Sequence, residues 1–319
     1  MTSSSEYLMR ASEAQECRFA ITIPCYKSAA TIGETLKAVM EQDEESLRRV
    51  QCVVIADDVS PDHTLDVVRS VWKRERPPLK FEAPPRNLGE MLNVNTAVAG
   101  LPETVEWFLH MHGDNIPKPG WLRLITDQCL AAGPEVGIVC ASYDVFHEDG
   151  AEELGEERPG APPIVVRGGL ESLRDTIRRG CWWHNSCGAI RVAAFRETGG
   201  LPAGMRQKGD WDFLLRLLNA GWDVVYLPRT LMRYRIHRDS ASGYAFTSHL
   251  DIEESLQIIQ KHAASLRASD IMYVHGQCAI ALLRRCAASL YRREFGRSGR
   301  AALMLLRTSA NCFSCAVSI

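Results

Sequence analysis

Trp107-Phe108-Leu109-His110-Met111-His112-Gly113-Asp114-Asn115 is an apolar run of strand character that ends abruptly in a small residue and a carboxylate, with Pro117 and Pro119 close behind. A strand of an open α/β sheet delivers whatever follows it to the carboxyl edge of the sheet, where ligands of such sheets bind. A carboxylate at that edge can hold a divalent cation against a phosphate, because hard cations take oxygen ligands and leave positions open to phosphate oxygens. The same residues also read as a polar turn, since Gly, Asp, Asn and Pro are all turn formers. The flanking pattern has to decide between the two.

From Arg18 to about Leu227, short β-type runs alternate with amphipathic helical segments. Phe19 to Ile23 is a strand stopped by Pro24. Thr31, with Glu34 three residues on, forms a capping-box pattern ahead of a helix whose Ile32, Leu36 and Val39 share one face. Val50 to Ala56 is a second strand, ending in Asp57-Asp58, and Thr64 to Trp72 a helix. A short strand over Leu79 to Glu82, helices over Met91 to Ala99 and Trp121 to Ala131, and a strand over Val136 to Ser142 continue the alternation. The order predicts βαβ units and a mainly parallel sheet flanked by helices. Glu148 to Pro163, rich in acidic residues, Gly and Pro, reads as a surface loop. Trp182, Trp183 and His184 follow a break at Gly180 and precede a strand near Ser186 to Arg191.

Beyond His237 the character changes. Asp251 to Arg267, Asp270 to Arg293 and Ser298 to Thr308 read as helices with Leu, Ile and Ala on one side and Arg on the other. The chain therefore divides into a flexible N-terminus (1–17), an α/β domain (18–242) and a helical C-terminal region (243–319). The last suits packing against the domain, or a basic amphipathic surface for peripheral membrane contact or an acceptor partner.

Composition narrows the classes. The 319 residues are 46% hydrophobic and 24% charged with a net charge of −2, which offers no polyanion-binding surface and no nucleic-acid partner. Met1 to Glu6 carry no apolar core of a secretory signal, and no run of eighteen apolar residues marks a membrane span. The eleven cysteines are irregularly spaced, and the lone C-x2-C pair, Cys312 and Cys315, lacks the second half of a structural zinc site. Cys25, Cys52 and Cys140 sit in apolar company as small buried hydrophobes. An odd count without a signal points to a reducing, cytoplasmic setting.

Three carboxylate groups fall at element boundaries. Asp57-Asp58 follow a strand, where a carboxylate can accept from a nucleobase N–H or ribose hydroxyls, while Ser60 or Asp62 can cap the next helix. Asp114 is the second. Asp210, in Lys208-Gly209-Asp210-Trp211-Asp212, opens a strongly amphipathic helix whose exposed N–H groups favour the ionised carboxylate that a general base requires. An ordinary N-cap is its structural alternative.

The ordered set is Ile23-Pro24-Cys25-Tyr26, Asp57-Asp58-x-Ser60-x-Asp62-x-Thr64, Asn87-x-Gly89 with Asn95, Gly113-Asp114-Asn115 with Pro117, Gly209-Asp210-x-Asp212 with Arg216 and Gly221, and Tyr234-Arg235-x-His237. In that order it resembles the inverting glycosyltransferases of family 2, with the GT-A fold, over about Arg18 to Ser242. The resemblance implies transfer of a sugar from a nucleotide-diphosphate sugar, a UDP-sugar in the first instance, to a hydroxyl-type acceptor such as a saccharide, lipid-linked saccharide or natural product. It implies Pro24 and Tyr26 in the nucleotide pocket, Asp57 and Asp58 at nucleoside and base, and Asp210 as catalytic base. Asp114 becomes the ligand of a divalent metal, Mn2+ or Mg2+, on the diphosphate, with His237 as a second ligand. The family's usual Asp-x-Asp is departed from, because His112 occupies the first acidic position; a histidine suits Mn2+ better than Mg2+. Trp182, Trp183, His184 and Asp212 are candidates for the donor sugar or the acceptor. The competing readings are a sugar-nucleotide pyrophosphorylase and a non-catalytic binding relative. The first calls for a Gly-rich phosphate loop after the first strand, where Pro24-Cys25-Tyr26-Lys27 stand instead; the second calls for loss of Asp114 or Asp210.

Overall fold

The computed structural model describes residues 18–147, 149–236, 248–291 and 304. Strand β1 (Phe19–Cys25) is followed by helices α1 (Ile32–Met40) and α2 (Glu44–Arg48), β2 (Val50–Asp57), α3 (Thr64–Val71), β3 (Leu79–Glu82), α4 (Glu90–Ala99), β4 (Trp107–His110), β5 (Ile116–Pro117), α5 (Trp121–Ala131) and β6 (Val136–His147). The second half contains β7 (Glu152–Glu153), β8 (Ile164–Val166), α6 (Leu170–Arg179), β9 (Gly188–Arg191), α7 (Val192–Glu197), α8 (Gly209–Asn219), β10 (Asp223–Ile236), α9 (Leu250–Lys261) and α10 (Ala268–Tyr291). The alternation read from the sequence is present, with β6 running five residues beyond its expected end at Ser142. The helix expected over Ser298 to Thr308 lies, Met304 apart, outside the described residues.

One sheet runs in the order β3-β2-β1-β4-β9-β6-β10-β5. β1, β2, β3 and β4 are mutually parallel, and so are β6 and β10. β9 lies antiparallel between β4 and β6, so it joins two parallel halves. Gly188 makes that junction: a Cβ there would stand 2.1 Å from the Val139 carbonyl oxygen, so no other residue permits the strands to approach. Every residue of β1 is buried, as expected of a strand covered on both faces.

The alternating side chains of the strands feed two cores. Ile21, Ile23, Val53, Ile55 and Leu109 pack with α1, α3 and α5 on one face. Ala20, Val54 and Phe108 pack with α4, α7 and α8 on the other, and Ile252, Ile259, Ile271 and Leu282 of α9 and α10 belong to this second core. The C-terminal helices thus bury one part of their apolar surface against the same layer as α8. No described helix is long and apolar enough to cross a membrane.

Candidate active site

Parallel strands β1, β2 and β4 end on one edge of the sheet, and the turns beyond them are bound together. The Asp58 N–H donates to the Cys25 carbonyl (2.9 Å). Asp57 is buried and accepts from the Ser60 N–H (3.0 Å) and the Cys25 thiol (3.7 Å). Both oxygens of Asp58 are taken by backbone, from Leu88 N–H (2.7 Å) and Gly89 N–H (2.8 Å), so its carboxylate holds the loop that leads into α4. Gly89 donates from φ +82°, which a side chain would resist. Asp62 accepts from the Thr64 N–H (3.2 Å) at the start of α3, whose N-cap position is His63, and from Ala29 N–H (3.2 Å), whereas the Ser60 hydroxyl oxygen accepts from Lys27 N–H (3.0 Å).

Pro24 is buried under this edge and Tyr26 stands exposed, with the Lys27 ammonium 5.2 Å from its ring centre. Lys27 and Val59 both adopt positive φ, 56° and 59°. Val59 is half exposed and β-branched, so a positive φ strains its backbone; such strain gathers at functional loops.

Thr31 opens α1 as expected but does not cap it. Its hydroxyl donates to the Gly113 carbonyl (3.0 Å), and Glu34, the other half of the expected box, pairs instead with Arg235. Arg235 Nε donates to the Asp114 carbonyl (3.1 Å), and the buried Asn115 donates to Ser186 Oγ (2.9 Å). The Gly-Asp turn is therefore gripped by α1, β10 and the segment before β9, and the Asp114 carboxyl group is presented from a fixed backbone.

His112 forms an ion pair with Glu90, Nε2 to Oε1 3.2 Å, across the α4 N-terminus. Burial opposes its charge, but Glu90, then Asp114 and Asp210, outweigh burial and push His112 up to about 9. Its neighbours answer in the opposite sense: burial, then the charge on His112, pushes His184 down to about 3 and His110 well below the histidine range. The His184 Nδ1 accepts from Ser186 N–H (3.3 Å), as a neutral ring requires. His184 lies 5.7 Å from the His112 ring, 4.5 Å from Tyr234 and 5.1 Å from Tyr143, completing an aromatic wall.

Asp210 occupies the first turn of α8 and accepts from Trp211 N–H (2.8 Å). The helix terminus alone would keep its pKa low. Burial wins and raises it to about 6, against the opposing pull of the Trp211 N–H, Lys208 and His112. The group is still ionised at neutral pH and sits close to the range where a general base works best.

Of the residues expected at the sugar or acceptor, His184 stands in this wall, but Trp183 and Asp212 do not. Trp183 is 3% exposed and packs on Phe213, 5.8 Å between ring centres, because its apolar area is worth most in the second core. Trp182 is half-buried and donates to Thr176 Oγ1 (3.1 Å). Asp212 has no exposed surface and accepts from Arg216 (2.8 Å), Lys261 (2.8 Å) and His262 (3.1 Å); it lies on the α8 face that meets α9, where its charge needs the Arg216 and Lys261 cations. His237 lies outside the described residues. Glu90, Tyr143 and Lys208 had no role assigned from sequence; only Glu90, directly after the Asn87-x-Gly89 pattern, carried a signal.

Among the described residues no group of three or more His, Cys, Asp or Glu is arranged to hold a metal. Asp114 offers a single hard oxygen ligand, and His112, paired with Glu90, offers none. That donor set fits a cation whose other positions are filled by a diphosphate and water.

The fold has solved counterparts. A mannosyltransferase of Pyrobaculum calidifontis, solved with GDP-Man and Mn2+, is similar at TM-score 0.59 and 17% identity over 97% of this chain and 94% of that one. S. aureus TarS 1-349 is similar at TM-score 0.55 and 15% identity over 89% and 90%, and its complex with UDP-GlcNAc at 0.57 and 14% over the same shares. No curated protein matches the sequence. A sequence profile described as glycosyl transferase family 2 matches residues 20–195, more than half of the chain, taking in Asp57, Asp58 and Asp114 and stopping before Asp210. The chain belongs to glycosyl transferase family 2, which sets aside the pyrophosphorylase reading.

Proposed function

We propose that this glycosyltransferase moves a sugar from a nucleotide-diphosphate donor, a UDP-sugar in the first instance, to an acceptor hydroxyl with inversion at the anomeric carbon, and that Asp210 is its base. The observation that carries the reading is the convergence of Asp210, His112, Glu90 and Asp114, from the starts of α8 and α4 and the turn after β4, in one electrostatic cluster. Solved relatives of the fold hold UDP-GlcNAc, UDP or GDP-Man, which supports the donor class.

Asp210 takes the proton from the acceptor hydroxyl, whose oxygen attacks the anomeric carbon. The bond from that carbon to the diphosphate oxygen breaks on the opposite face, and nucleoside diphosphate leaves. Pro24, Tyr26 and Asp57 form the nucleotide side, with Tyr26 free to stack on the base; Asp58 acts by holding the Leu88–Gly89 loop. A Mn2+ or Mg2+ ion, held by Asp114 and the diphosphate, would neutralise charge developing on the leaving group. His112, kept cationic by Glu90, adds fixed positive charge beside Asp114. His184 and the Tyr143–Tyr234 wall border the sugar.

We place the protein in the cytoplasm on its sequence features, with peripheral membrane contact assigned to α10, whose Met272, Ile280, Leu283 and Leu290 are exposed.

A panel of nucleotide sugars tested by thermal shift, with and without Mn2+, identifies the donor, because a bound ligand stabilises by mass action. Wild-type enzyme is expected to release nucleoside diphosphate slowly from that donor, and Asp210→Asn to keep the shift while losing about 10²–10⁴-fold of the release. Release at the wild-type rate by Asp210→Asn overturns the assignment of the base.

A further inference from the structure

The α8 N-terminus is unusual in how its approach is held. Residues 198–208 connect α7 to α8 without a regular element and contain Gly199, Gly200 and Gly204 at positive φ. Such a segment has many conformations open to it, yet it ends two residues before Asp210. Its last three N–H groups need partners, because the first N–H groups of a helix and its approach have none within the helix. They find one carboxylate. Glu254, in α9, accepts from Arg206 N–H (2.7 Å) through one oxygen, and from Gln207 N–H (2.9 Å) and Lys208 N–H (2.7 Å) through the other. Glu254 is 1% exposed, so all three bonds are charge-assisted and screened from water.

The same helix reaches the other side of Asp210. Lys261 lies seven residues from Glu254, two turns along one face, and with His262 it holds Asp212. One face of α9 therefore fastens residues 206–208 and residue 212, on either side of the base. Geometry at this precision matters to catalysis, since a small misplacement of a reacting group costs rate far more than it costs binding.

We infer that Glu254 is a positioning residue for Asp210: its carboxylate, inserted from the C-terminal helices, locks the 206–208 backbone so that the base is held half-buried and correctly aimed. The inference rests on Asp210 being the base.

It is tested with Glu254→Gln, which keeps the volume but removes the charge and half of the accepting capacity. The first readout needs no donor: the Asp210 carboxyl titration, followed by 13C NMR with the resonance assigned from Asp210→Asn. Wild type is expected near 6, and Glu254→Gln at least one unit lower, because a loosened loop admits water and burial is the largest cause of the elevation, with Lys208, Glu90, His112 and the Cys181 thiol also facing the group. The second is hydrolysis of UDP-GlcNAc or GDP-mannose, whichever is turned over: kcat falls tenfold or more while the donor KM stays within twofold. A folded Glu254→Gln protein with wild-type kcat and an unshifted Asp210 titration overturns the inference, even if its melting temperature drops. Should that variant not fold, Glu254→Asp decides, since it keeps the charge but draws the carboxylate back from the 206–208 N–H groups: a severalfold lower kcat at constant KM supports the lock, and wild-type kinetics overturns it. The base assignment fails separately, if Asp210→Asn keeps wild-type hydrolysis, and the titration in Glu254→Gln still reports whether Glu254 holds that side chain.

Discussion

Asp210 and His112 both hold their protons more tightly than usual, which removes charge from one and keeps it on the other, for one shared reason, a half-buried cluster in which charge is costly unless paired. His112 has Glu90 at 3.2 Å and keeps its proton to about 9; Asp210 has only partial compensation and gives up its proton near 6. A carboxyl whose pKa is higher in the folded than in the unfolded protein binds its proton more tightly when folded. Its ionisation therefore weakens the fold as pH rises from about 4 through about 6. Asp210→Asn is accordingly expected to raise the unfolding free energy at pH 8 by an amount on the order of 1–3 kcal/mol, with a higher melting temperature, and to show no gain at pH 4. Differential scanning calorimetry across that range checks it. The same titration sets the acid limb of the kcat–pH profile, with activity rising through about pH 6 as the base ionises. Stability given up at the site is the counterpart of a base of useful strength.

At the scale of elements, loops near the site are held by single side chains that imitate a strand partner. Asn95 of α4 accepts from Leu201 N–H (2.8 Å) and donates to the Leu201 carbonyl (2.8 Å), while Gly200 passes so close that a Cβ would meet the Asn95 amide oxygen at 2.7 Å. Asn95→Ala leaves two part-buried backbone groups without partners and is expected to cost about 2–3 kcal/mol in urea denaturation. Asp58 holds residues 88–89 and Glu254 holds 206–208 in the same manner. The helices themselves were legible, because 3.6-residue spacing of apolar side chains survives in a linear reading: α3 and α5 begin and end close to where their patterns say, and α1 and α8 begin there. The partners of the caps were not legible. Thr31 followed by Glu34 is a valid local box, but Gly113 and Arg235 offer both side chains better partners from far along the chain.

For the whole molecule, the joining of the C-terminal helices to the second core matters most. Leu282 of α10 has no exposed surface and shares a core with Phe213 and Leu217 of α8. Arg178 of α6 bonds Asp270 (2.6 Å) across the same junction. Leu282→Ala is therefore expected to lower stability by about 2–5 kcal/mol in one cooperative transition that includes the catalytic region. Thermal unfolding followed by near-UV circular dichroism would contradict this by showing a separate early transition that leaves the aromatic signal of the sheet intact.

The amino-acid order alone carried the α/β alternation, the carboxylates at strand ends and helix starts, and the family likeness. All of these depend on short-range periodicity and on residue types at fixed spacing. It did not carry the antiparallel insertion of β9, the diversion of Trp183 into packing and of Asp212 into ion pairs with Arg216 and Lys261, the charge state of His112 or the grip of Glu254 on the approach to Asp210. Each of those depends on which distant groups share a buried, low-dielectric space, and that is settled only when the chain has folded. The Gly113-Asp114 turn shows both. Its place at the sheet edge could be read from Trp107 to Asn115, but the cation beside it exists because Glu90, twenty-two residues earlier, comes within 3.2 Å of His112.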